Sequence, residues 1–155
     1  MRILYIYRSE KMGFSIGKVF RPIEQEIKKC GEVDSIYLPK SNYKPYSLIH
    51  NILFVKRYVK RGKYDIVHIT GTEHYLLPFL CSYNTIITVH DLGFYTKQKK
   101  NIKLFGKYLL WIKSLLYAKY VTFISDFSQQ EALNLIRLRN YRVIYNPIGN
   151  EFQPI

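Results

Sequence analysis

Read in chain order, the residues able to do chemistry gather just after short apolar runs. Arg8 and Ser9 follow the first run. Thr70-Gly71-Thr72-Glu73-His74 follow the third, His90-Asp91 the fourth, Ser125, Asp126 and Ser128 the fifth, and Asn146 the sixth. Polar and titratable groups converging at one edge are what a binding site requires, and Glu73 and His74 could form an acid/base pair. Each also has a structural reading. Thr72-Glu73 can start a helix, Ser125 or Asp126 can cap one, and His90 can be a satisfied core imidazole. Lys11-Met12-Gly13-Phe14-Ser15-Ile16-Gly17 is a glycine-containing loop before a helix, where Gly13 and Gly17 would let an anion approach. It has neither the dinucleotide fingerprint nor the Gly-Lys-Ser/Thr ending of a phosphate loop.

The runs that would position these groups read as strands: Arg2–Tyr7, Val33–Leu38, Asp65–Thr70, Thr85–His90, Tyr120–Ser125 and Arg142–Tyr145. They are rich in Ile, Val, Tyr and Thr, and several are apolar on both faces, as a parallel sheet covered by helices requires. Helical periodicity marks Ser15–Lys29, Ser47–Arg61, Glu73–Ser82, Asn101–Ala118 and Asp126–Leu138, with Pro78 expected to shorten the third. This β-α alternation predicts an α/β fold with a doubly wound, mostly parallel six-stranded sheet and helices on both faces. In such a sheet, ligands bind outside the carboxyl ends of the strands. The candidate groups stand at those ends.

The 155 residues suffice for one domain with a real core, and 48% hydrophobic and 16% aromatic content excludes disorder. Cys30 and Cys81 are too few for a disulfide scaffold or a cysteine zinc site, and are expected as buried thiols. No metal site is expected. No apolar run reaches a membrane span, and the first run is too short for a signal peptide, so a cytoplasmic location is expected. The net charge is +13, and no acid occurs between Asp34 and Asp65 or between Asp91 and Asp126. Such surfaces attract phosphate, nucleic acid or anionic lipid. No helix-turn-helix, RNA-recognition or zinc pattern points to sequence-specific nucleic-acid binding.

The ordered set Arg2–Tyr7 with its loop, Asp65-Ile66-Val67-His68, Thr88-Val89-His90-Asp91-Leu92, Phe123-Ile124-Ser125-Asp126-Phe127-Ser128 and Val143-Ile144-Tyr145-Asn146 resembles the amino-terminal half of family 4 glycosyltransferases, retaining enzymes of the GT-B fold. The resemblance implies a Rossmann-like acceptor-binding domain over 1–146 and the start of an interdomain linker at 147–155. The donor-binding domain is expected elsewhere, in a second domain or subunit. It implies that His90 lines the reaction centre and that Asp91, Thr72, Glu73, Ser125 and Ser128 are acceptor contacts or their supports. Gly13 and Gly17 would approach the donor diphosphate. The implied partners are a nucleotide-sugar donor, taken as substrate with no cofactor, and a glycan or lipid-linked acceptor. Lys100, Lys103 and Lys107, with Trp111 one turn on, are expected to meet an anionic membrane surface peripherally at its inner face. The competing reading is a non-enzymatic basic α/β module that binds anionic membrane or nucleic acid.

Overall fold

The computed structural model describes residues 1–12, 15–96 and 102–147; Gly13, Lys100 and 148–155 of the sequence-based expectations lie outside them. Six strands form one sheet: β1 Arg2–Tyr7, β2 Glu32–Tyr37, β3 Ile66–Ile69, β4 Thr85–Val89, β5 Tyr120–Phe123 and β6 Tyr141–Val143. Their order is β2-β1-β3-β4-β5-β6, and every neighbouring pair is parallel. The chain leaves β1 toward β2, then returns past β1 to β3 and steps the other way to the end. The order therefore reverses between β1 and β3.

That reversal decides the layers. Right-handed crossovers running in opposite directions place their helices on opposite faces. Helix α1, Ser15–Ile27, packs Ile16 and Phe20 on Ile3, Tyr5 and Tyr7 of one face. It is pinned by Glu24, which accepts hydrogen bonds from the Tyr7 and Ser35 hydroxyls. Helix α2, Pro45–Gly62, packs Leu48, Val55 and Val59 on the opposite face, over Leu4, Ile6, Val67 and Ile69. Pro45 opens it, its missing N–H needing no partner in the first turn. It ends at Lys63 with φ 50°, after a glycine that leaves room for the Tyr64 ring. A Cβ on Gly62 would lie 2.0 Å from the Tyr64 ring.

The remaining connections also cover the α2 face. They comprise a 3-10 helix, His74–Phe79, short α3, Gly93–Thr96, then α4, Ile102–Lys107, and α5, Asp126–Leu133. Pro78 does hold its helix to six residues. The single helix expected over Asn101–Ala118 is instead α4, a π-helical segment at Tyr108–Ile112 and a 3-10 turn at Lys113–Tyr117. The extra residue per turn lets Trp111 and Ile112 both face the core. Ser114 marks the change, donating to the Leu109 carbonyl five residues back at 3.1 Å. Among the described residues, no helix covers β4–β6 on the α1 side, and Tyr120 is 59% exposed there. Cys30 and Cys81 are free thiols but exposed, because Cys30 ends a surface turn and Cys81 follows the Pro78 helix.

Candidate functional site

Beside the β1/β3 reversal, the carboxyl ends of β1, β3 and β4 lie side by side. Thr70 fastens the first two, its backbone N–H and hydroxyl both donating to the Ile6 carbonyl at 3.1 and 3.0 Å. From this anchor the chain turns through Gly71 and delivers Thr72, Glu73 and His74. A Cβ on Gly71 would come within 2.8 Å of Ile16 Cδ1 and 3.2 Å of Glu73 Oε2, so the glycine makes room for both α1 and the carboxyl.

Glu73 is only 1% exposed. Its Oε1 accepts a long hydrogen bond from the Thr72 hydroxyl at 3.4 Å, while buried Oε2 has no partner among the described residues. Burial drives its pKa up to about 7, against the opposing pull of its own backbone N–H, Arg8 and Thr72. At neutral pH this carboxyl is half protonated, able to give or take a hydrogen bond. A buried polar atom without a partner is a candidate for binding or catalysis.

His90, at the end of β4, places Nε2 2.9 Å from the Thr70 carbonyl. A carbonyl accepts, so Nε2 carries the proton and Nδ1 presents a lone pair. Burial lowers the His90 pKa, with Arg8 contributing in the same direction and the Thr70 bond opposing. The neutral imidazole thus accepts from a hydroxyl rather than offering a cation to a phosphate. His74 is fully enclosed, donates from Nδ1 to the Trp111 carbonyl at 2.7 Å and is driven by burial down to about 4. It ties the Pro78 helix to the π-helical segment and is structural. His68 is also structural: it lies mid-strand, 2.9 Å from the Thr88 hydroxyl, and burial lowers it to about 3.

Beside Thr72, a cleft of about 220 Å³ is lined by Tyr43, Thr72, Lys107 and Trp111. Tyr43 meets the Trp111 ring edge-on at 5.2 Å, and its hydroxyl is 3.2 Å from that of Thr72. Tyr43 was missed as a site residue. It follows β2, and the strand-end rule reaches it when applied to that strand as well. Trp111 is 8% exposed and packs against Tyr43 and Tyr75, so it is a core ring rather than a lipid-boundary anchor. Lys107 stands at the cleft, and the side chain of Lys103 falls outside the description.

Other expected contacts resolve as supports. Asp91 is exposed and accepts the Gly93 N–H at 3.0 Å, starting α3. Ser125 caps α5, accepting the Ser128 N–H at 3.2 Å, while the Ser128 hydroxyl returns to the Ser125 carbonyl at 2.9 Å. Their hydrogen-bonding capacity is spent on the cap. Gly17 lies in the first turn of α1, in a small recess with Arg8 and Arg21. Among the described residues, no group of three His, Cys, Asp or Glu could hold a metal ion.

The sequence model for Glycosyltransferase Family 4 matches residues 19–152. The chain belongs to glycosyltransferase family 4. No curated protein matches it at a significant level. This glycosyltransferase domain belongs to a class of enzymes that join a sugar from a donor to an acceptor, and its Rossmann-like α/β sheet carries these polar groups at the edge such folds use. Among the described residues, no helix is long and apolar enough to cross a membrane.

Proposed function

We infer that this glycosyltransferase domain is the acceptor-binding half of a retaining enzyme that moves a sugar from a nucleotide-sugar donor to a glycan or lipid-linked acceptor. The observation that carries this is Glu73: a carboxyl buried at the strand-order reversal with one oxygen unpartnered among the described residues, at the same sheet edge as an imidazole held by the Thr70 carbonyl. Hydroxyls are the chemistry that satisfies both. A sugar hydroxyl can donate to His90 Nδ1, and another can bond Glu73 in either protonation state. Tyr43 and Trp111 edge the adjoining cleft with apolar ring surface suited to a sugar ring's C–H face.

His90 holds a hydroxyl in register while bond order shifts at the anomeric carbon, with no cost of reorienting solvent. The donor diphosphate is assigned to a second domain or subunit, because the described edge offers hydroxyl-binding groups and few cations. Peripheral docking on anionic lipid through Lys100, Lys103 and Lys107 belongs to the same reading, without Trp111.

The test is sugar transfer from labelled nucleotide sugars to glycan and lipid-linked acceptors, by the chain alone and with a donor-binding partner. A cooperative melt without turnover alone, and turnover with the partner, is expected. Efficient transfer by the chain alone would refute the division into halves.

A further inference from the structure

The opposite, amino-terminal edge of the sheet carries features that sugar transfer does not use. A cavity of about 740 Å³ opens there between α2 and the starts of β1 and β2. That volume falls within the range of small-molecule sites. Along α2, His50, Phe54, Arg57 and Arg61 fall at helical spacing and line it together. Phe54, Tyr58 and Tyr64 form a continuous aromatic wall. Phe54 and Tyr58 lie 6.3 Å apart, and Tyr58 and Tyr64 stack at 6.3 Å with their planes only 10° apart.

The charges are unbalanced. Asp34 is the cavity's acid, and it is already committed, accepting from Arg2 at 2.8 Å and from the Tyr64 hydroxyl at 2.7 Å. Among the described residues, neither Arg57 nor Arg61 meets a carboxylate, although the two stand one helical turn apart over the same cavity. The buried Nδ1 of His50 has no hydrogen-bond partner among those residues either. Paired guanidinium forks match phosphate oxygens in geometry as well as charge. The aromatic wall beside them adds a stacking surface that a bare anion would leave unused.

We propose that this edge is a second binding site, for a small ligand that joins a phosphate to a flat aromatic ring, such as an aryl or nucleoside monophosphate. Arg57 and Arg61 grip the phosphate, and Tyr58 with Phe54 supplies the face on which the ring lies, Tyr64 backing them beneath the Arg2 guanidinium 5.1 Å from its centroid. The site is on the far edge of the sheet from His90, so it stands independently of the transfer reading.

NMR titration of the full chain with phenyl phosphate, AMP, inorganic phosphate and phenol tests this. Phenyl phosphate and AMP are expected to shift the Arg57, Arg61, Tyr58 and Tyr64 resonances, with phenol and inorganic phosphate several-fold weaker. The exposed pair R57Q/R61Q is expected to weaken phenyl phosphate by about tenfold, the factor that corresponds to about 1.4 kcal/mol, with an unchanged melting temperature. Tyr58→Leu is expected to weaken phenyl phosphate and leave inorganic phosphate alone. The proposal is overturned if inorganic phosphate binds as well as phenyl phosphate, if R57Q/R61Q changes nothing, or if the shifts map to Arg8 and His90. It is also overturned if phenyl phosphate fails to bind while R57Q/R61Q abolishes retention on phosphatidylglycerol vesicles, which would assign the stripe to a lipid surface.

Discussion

Replacing Glu73 by glutamine removes a titration while keeping the shape, and its effect on folding can be worked out. Below pH 4.5 the carboxyl is protonated in the folded and unfolded chains alike, so wild type and E73Q differ by a constant. As pH rises, the unfolded chain ionises Glu73 at its ordinary 4.5, but the folded chain holds the proton to about 7. Over that window the unfolded state binds fewer protons, and wild-type stability falls. Each pH unit is worth about 1.4 kcal/mol, so the loss totals about 3 kcal/mol by pH 8. E73Q has no such loss. Its stability relative to wild type should therefore rise by about 3 kcal/mol between pH 4.5 and pH 8.

The comparison must be a difference, because His68 and His74 act with the opposite sign. Their folded pKa values are depressed to about 3 and about 4, so their contribution is present above pH 6.5 and is lost as pH falls. Both variants contain them, and they cancel. Urea unfolding at several pH values, followed by fluorescence of the single tryptophan, Trp111, measures it. Trp111 is buried beside Tyr43 and Tyr75, so its emission reports the core nearest the carboxyl edge. A difference that stays flat from pH 4.5 to 8 would show an ordinary, solvated carboxylate at position 73 and remove the basis for its role.

Three further outcomes are expected. His90→Ala, assayed with the donor-binding partner present, should lower turnover by about 10²–10³-fold, the usual loss of one preorganised group at a reaction centre, with a smaller effect on melting; full activity would move the reaction centre elsewhere. Asn51→Ala should cost about 2–4 kcal/mol in urea unfolding, because buried Asn51 bonds the Lys40 N–H and carbonyl and the Tyr75 hydroxyl, and its loss strands all three. Changing Lys100, Lys103 and Lys107 to Glu should release the chain from anionic vesicles in low salt; unchanged retention would separate this segment from the membrane.

The fold was legible because its signal is local. Strand starts and ends fall within about one to two residues of where Ile, Val and Tyr runs give way to polar groups, and the parallel sheet follows from their two-sided apolarity. The carboxyl-edge rule then names Glu73 and His90 without any contact being known. What could not be read depends on residues distant in sequence. Tyr43 reaches Thr72 from the other side of β1, and Trp111 turns inward only because the helix widens to a π turn ahead of Ser114. Periodicity at 3.6 residues cannot report such a change, so Trp111 reads on paper as a continuation of the lysine stripe. Equally, no spacing separates a serine that caps a helix from one that meets a ligand. Ser125 and Ser128 are told apart from Glu73 only by their partners.

Those partners give a physical basis for sorting the candidates. A polar side chain with every hydrogen bond met inside the protein has nothing left to offer a substrate, and its cost of burial is already balanced. Ser125 and Ser128 are of this kind, while His74 and His68 are each fixed at one ring nitrogen and set apart by their deeper burial. Glu73 and His90 stand at strand ends with an atom that meets no partner among the described residues, Oε2 and Nδ1 respectively, Glu73 tethered by a long bond from Thr72 and His90 by the Thr70 carbonyl. For Glu73, the burial that holds its proton to about 7 corresponds to about 3 kcal/mol of lost stability at neutral pH, a large share of what a domain of this size has to spare. A sequence under selection for stability alone would remove that cost with glutamine or leucine. A carboxyl at the strand-order reversal, beside a glycine that makes room for it, is placed where the proposed acceptor hydroxyl would meet it.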